Sequence, residues 1–144
     1  MAIVTVVNKA GRDKLVITDV AGVATTDANE KQCFSGDKVG AGNWVDMGPW
    51  EGGEALVQVI ETGGAAGATV RAYSPEDPTS TTTKNATPTQ LGDDYTLAAS
   101  GKKSFILNKV GTALRMTIQR PAGTNTTVAF RITVTKPNSG AMVG

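Results

Sequence analysis

The residue types that most often carry chemistry are scarce in this chain. It contains no histidine, which removes Ser-His-Asp and Cys-His nucleophilic machinery, most zinc catalysis and the easiest proton shuttle near neutral pH. The single cysteine, Cys33, has no partner for an intrachain disulfide or a thiolate metal site, and reads as a small core residue. Two acidic pairs remain, Glu76-Asp77 and Asp93-Asp94. Paired carboxylates can divide acid and base roles or help hold Ca²⁺. Neighbours on an extended chain point to opposite sides, however, and neither pair sits in an EF-hand pattern. Asp93-Asp94 follows Gly92 and reads as a turn before a strand. The expectation is no catalytic residue, no cofactor and no metal. A small hydrolase using Asp93 or Asp94 is the enzyme alternative.

Trp44, Met47, Pro49 and Trp50 cluster beside glycines. Such a group either closes the end of a core or forms a contact patch, for a protein partner or as a stacking platform for sugar. The glycines at 36, 40 and 42 lack the strand–loop–helix setting that makes a phosphate cradle.

The elements that would position these residues are strands. Thr, at 20 residues, and Gly, at 17, stand out in a chain of 144; Thr suits a half-wet pleated surface and Gly the turns between short strands. Ile3 to Val7 and Leu15 to Val20 predict an N-terminal hairpin. Ala21 to Gly42 is weakly patterned, and Trp44 to Met47 is a short strand. Glu54 to Glu61 is nearly continuously apolar, which predicts a central strand buried on both faces and joined in an antiparallel hairpin to Ala68–Ser74. Tyr95 to Ala98 and Ser104 to Asn108 follow. Leu114, Met116 and Ile118 alternate inward along one strand, and Val128, Phe130, Ile132 and Val134 along the next, predicting a closing hairpin. About eight antiparallel strands make a single-domain, all-β β-sandwich or jelly roll spanning 1–136. A Pro- and Thr-rich surface loop is expected at 75–89 and a flexible C-terminal tail at 137–144.

The formal charge of +1, from 14 basic and 13 acidic residues, gives no long-range field for polyanions, so no nucleic-acid partner is expected. No apolar run approaches the length of a membrane span, and no signal peptide is evident at the start, so synthesis in a reducing cytoplasm is expected.

The stretch from Glu54 to Lys136 resembles the small β-sandwich virion proteins of tailed bacteriophages, head decoration (cement) proteins in particular. The resemblance lies in Ala55-Leu56-Val57-Gln58-Val59, in Gly67 to Ser74, in the Pro/Thr loop, and in Leu114 to Ile118 with Thr127 to Thr135. It implies a non-enzymatic protein, made in the host cytoplasm and bound to the capsid exterior. Its partners would be the major capsid protein and copies of itself, as a homotrimer. No site residue carries over from the family. From the residues themselves, the candidate interface comprises Ile3, Val4 and Val6 on an exposed N-terminal strand, with Trp44, Met47 and Trp50. The alternative role is a receptor- or carbohydrate-binding module of a phage tail, fibre or adhesin, acting through Trp44 or Trp50 and the 75–89 loop.

Overall fold

In the computed structural model the described residues are 3–9, 12–26, 28–34, 44–63, 67–76, 88–121 and 124–137. They form ten strands: β1 (Ile3–Lys9), β2 (Arg12–Thr25), β3 (Lys31–Gln32), β4 (Val45–Asp46), β5 (Ala55–Glu61), β6 (Ala68–Ser74), β7 (Thr89–Leu97), β8 (Lys102–Leu107), β9 (Ala113–Gln119) and β10 (Thr126–Thr135). A single 3-10 turn, Gly48–Trp50, has Pro49 in its first positions, where the missing N–H costs nothing.

All pairings are antiparallel, in two sheets. Sheet I runs β1-β2-β10-β5-β8 and sheet II runs β3-β9-β6-β7, with β4 also on β9. The fold is an all-β sandwich. Apart from the β1–β2 and β6–β7 hairpins and the step from β3 to β4 on one edge, every connection crosses from one sheet to the other. With β3 and β4 counted as one interrupted edge strand, β2 to β10 wind as an eight-stranded jelly roll, and β1 is an added edge.

This winding overturns two predicted hairpins. β5 pairs with β10 and β8, whereas β6 pairs with β7 and β9. β9 and β10 likewise lie in different sheets. The six residues between β5 and β6, and again between β9 and β10, turn a corner between sheets as readily as they would close a hairpin, because only the shortest loops dictate local pairing.

The faces came out better than the pairings. Leu114, Met116, Ile118, Val128, Ile132 and Val134 are fully buried, as is Val70, and Phe130 is nearly so. They meet Ile17, Val57 and Leu107 in one core between the sheets. Tyr95 of β7 stacks on Phe105 of β8 at 3.6 Å between ring centroids, joining the sheets at one side. Phe34 meets the Phe130 ring edge-on at 5.9 Å. Cys33 is a buried core residue, and burial pushes its thiol well above the ordinary range.

β5 is not buried on both faces. Ala55, Val57 and Val59 point inward, while Leu56 and Gln58 are exposed. Asp93-Asp94 is not a turn either. The pair lies inside β7, where the register shifts between Val70↔Tyr95 and Ala72↔Leu91 and leaves Gly92-Asp93-Asp94 bulged. The predicted tail from 138 and residues 77–87 of the predicted loop lie outside the described residues, as do Ala2, Asp77 and the three glycines at 36, 40 and 42.

Candidate interaction surface

The two outer faces of the sandwich differ. On sheet II, antiparallel alternation turns Thr69, Arg71 and Tyr73 of β6 outward beside Arg115, Thr117 and Gln119 of β9. Several of these side chains bond to one another or to residues beside them. Arg71 donates two hydrogen bonds to the Asp94 carboxylate, at 2.8 and 3.0 Å, and a third to Gln119 Oε1 at 2.6 Å. The segment after β2 lies over them: Tyr73 and Thr117 each donate to Glu30 Oε1 at 2.6 Å, and Gln119 donates to the Ala28 carbonyl. The Arg115 guanidinium sits between the Trp44 and Tyr73 rings, 4.8 and 4.9 Å from their centroids. Sheet II is covered by its own polar network.

Burial works against ionisation of Glu30, yet hydrogen bonds from Thr117 and Tyr73 and the charge of Arg71 hold its carboxyl below the ordinary 4.5. Hydrogen bonds from Arg71 and Gln90 hold Asp94 below 3.8. Both folded values are depressed, so their stabilising contribution is complete above the unfolded values and is lost as the pH falls through the folded ones. Acidification is therefore expected to release the 28–32 segment before the core opens. Hydrogen exchange corrected for intrinsic rate should show protection there falling while β5 and β10 stay protected; equal loss in both would contradict the assignment.

On sheet I the outward residues are a mixture of neutral polar, apolar and basic side chains. The register aligns Ile106, Leu56, Thr133, Val16 and Thr5 in one row across all five strands, and Ser104, Gln58, Arg131, Thr18 and Ile3 in the next. Leu56 and Ile106 are exposed side by side. Beyond them opens a concavity of about 750 Å³, lined in part by Val20, Ile60, Lys102, Lys103 and Arg131. Val20 stands 87% exposed where β2 bulges against β10. Lys14 and Glu54 line a second hollow on the same face. Lysines and an arginine scattered through the sequence are thus gathered by register onto one face, a feature that reading strands one at a time does not reveal.

The six candidate interface residues divide into two groups. Ile3, Val4 and Val6 are on β1, the free edge of sheet I, and Ile3 and Val6 are 62% and 56% exposed. Trp44, Met47 and Trp50 are buried. Met47 and Trp50 belong to the core between the sheets, whereas Trp44 packs with Ala113 and Tyr73 in a separate cluster; buried as they are, all three offer a partner little surface. Lys136 lies 5.5 Å from the Trp50 ring centroid.

Two of the carboxylates considered for chemistry, Glu76 and Asp94, have structural occupations. Glu76 accepts hydrogen bonds from the Ser74 and Thr112 hydroxyls and from the Thr112 N–H at 2.8 Å, tying the end of β6 to the approach to β9. Asp94 is the partner of Arg71. Among the described residues no three His, Cys, Asp or Glu side chains gather as a metal site, and no helix is long and apolar enough to cross a membrane. Comparison with protein families and with curated proteins returns no match to this chain.

Proposed function

We propose that this chain is a non-enzymatic virion structural protein that docks on the outside of an assembled phage capsid through the outer face of sheet I and stabilises the shell. One observation supports the reading above others. Four of the six large apolar side chains left exposed among the described residues, Ile3, Val20, Leu56 and Ile106, lie on the outer face of sheet I. An apolar group concentrated on one side and rimmed by charge marks a contact surface rather than ordinary surface scatter. The basic side chains of Lys14, Lys102 and Arg131 on that face suit a partner that sets acidic groups around an apolar centre.

The capsid enters through the family resemblance, and the jelly-roll winding adds only a fold analogy, since capsid and lectin domains both use it. Between those two, the glycan-binding role has less support, because both tryptophans are buried. A shell offers many identical sites, so a modest area per copy suffices when neighbouring copies also touch. The partners are then the major capsid protein and further copies of this chain.

The test is the double substitution Leu56→Thr with Ile106→Thr, which places no like charges opposite one another in this cross-strand pair, assayed by cosedimentation with shells assembled from the major capsid protein of the phage that encodes this chain. Losing two central apolar contacts is expected to weaken docking about 100-fold. The melting temperature should move little, since both side chains already face solvent. Unchanged docking by the variant, or no docking by the wild type, would sink the reading.

A further inference from the structure

A sandwich has four sheet edges, and natural proteins protect such edges against pairing with other chains. Three edges here carry the usual protection. β3 and β4 are two residues each. β8 begins with Lys102-Lys103. β7 is bulged and carries Asp93 and Asp94. β1 carries one lysine, Lys9, at its far end and none of these devices over the rest of its length. Its first five residues, Ile3-Val4-Thr5-Val6-Val7, hold no charge, no proline and no glycine, and its seven-residue register with β2 runs without a bulge.

We infer that β1 is a self-association edge: two copies pair β1 with β1 antiparallel about a twofold axis at Thr5, joining two five-stranded sheets into one of ten. The sequence of the strand is complementary to itself in that register. Thr5 meets Thr5 of the second copy, Val4 meets Val6, and Ile3 meets Val7, all β-branched and all favourable as cross-strand pairs. The two Lys9 positions fall about 26 Å apart along the paired strands, at 3.3 Å per residue. The other edges of a second copy are closed by the features above, which leaves β1 as the matching edge and makes the interface isologous.

Face parity points the same way. Val4 and Val6 pair with Ile17 and Leu15 of β2, whose side chains are core. They therefore project on the inner side of sheet I yet stay exposed, because sheet II does not extend over β1. The twofold register gathers Val4 and Val6 of both copies into one apolar cluster on that side. An antiparallel twofold lies perpendicular to the sheet, so it also sets the outer faces of both copies on the same side. The pairing does not rest on the docking reading, although it would double the docking face.

The experiment is sedimentation equilibrium on the full chain over a wide concentration range, with Thr5→Lys and Thr5→Glu as variants and circular dichroism to confirm folding. The wild type is expected to dimerise. Each variant places like charges opposite one another and should weaken the dimer about tenfold or more. An equimolar mixture of the two variants should restore it as a heterodimer. A monomeric or trimeric wild type overturns the inference, as does a Thr5→Lys dimer of unchanged strength or a mixture that stays monomeric.

Discussion

Replacing Glu61 with alanine is expected to cost the fold about 3–5 kcal/mol, a large part of the total stability of a domain this size. Glu61 ends β5 on its inward side and is 1% exposed. Its Oε1 accepts the Ser100 N–H at 3.0 Å. Its Oε2 accepts the Gly63 N–H at 3.0 Å, the Thr126 hydroxyl at 2.7 Å and, more weakly, the Thr127 N–H at 3.4 Å. Those donors belong to three separate chain segments: the β5–β6 corner, the β7–β8 corner and the start of β10. Backbone bonds from Glu61 to the Gly101 carbonyl and from Thr62 to the Thr127 carbonyl run alongside. Truncation leaves three good donors without the acceptor, in a place where each orphan costs about 1–3 kcal/mol unless water enters. Glu61→Gln keeps the shape but turns an N–H₂ toward one set of donors, and should lose about half as much. Urea unfolding of both variants checks the order. A loss below about 1 kcal/mol for the alanine variant would show that these bonds do not hold the corners together.

Glu61 also shows what was legible in the sequence. Ala55, Val57 and Val59 alternate along one face of β5, and the same two-residue period places Glu61 on that face, inside the core. An acidic residue at the end of an apolar run reads as the edge of the strand, so its position was passed over. Parity was enough to assign the inward residues of β9 and β10, because alternation depends only on which side of one strand meets oil or water. It says nothing about which strand lies next door, and the two predicted hairpins failed for that reason. The run Leu56 to Ile60 misled in a more useful way. Its second apolar face suggested burial on both sides, whereas Leu56 is exposed beside Ile106 and belongs to the proposed docking face. The centre of a partner surface can be as apolar over a short run as one side of a core strand. The exposed β-branched character of Ile3, Val4 and Val6 was legible from the start. The gathering of Lys14, Lys102 and Arg131 was not, since it needs the register of four strands.

Gly67→Ala is the second substitution expected to cost 3 kcal/mol or more, and Gly52→Ala serves as its control. Both glycines have left-handed backbone, with φ of +85° and +81°, so alanine at either site carries a strain of about 1–2 kcal/mol. They differ in what a methyl group would meet. Nothing lies within 4 Å of the Cβ position at Gly52, whereas at Gly67 that position is 2.0 Å from the Leu97 carbonyl oxygen. The Leu97 oxygen is backbone and cannot swing aside as a flexible side chain would. Ala68 pairs with Leu97 at the start of the β6–β7 ladder, so the clash falls where that hairpin begins. Relief requires the end of the ladder to open, which pulls Ala68 and Leu97 out of the core they both enter. The difference between the two variants in urea unfolding isolates the contact from the backbone strain, because the strain is common to both. Equal losses would mean that the ladder end moves away at no cost, and that the close approach of Gly67 to Leu97 does not constrain how β6 enters sheet II.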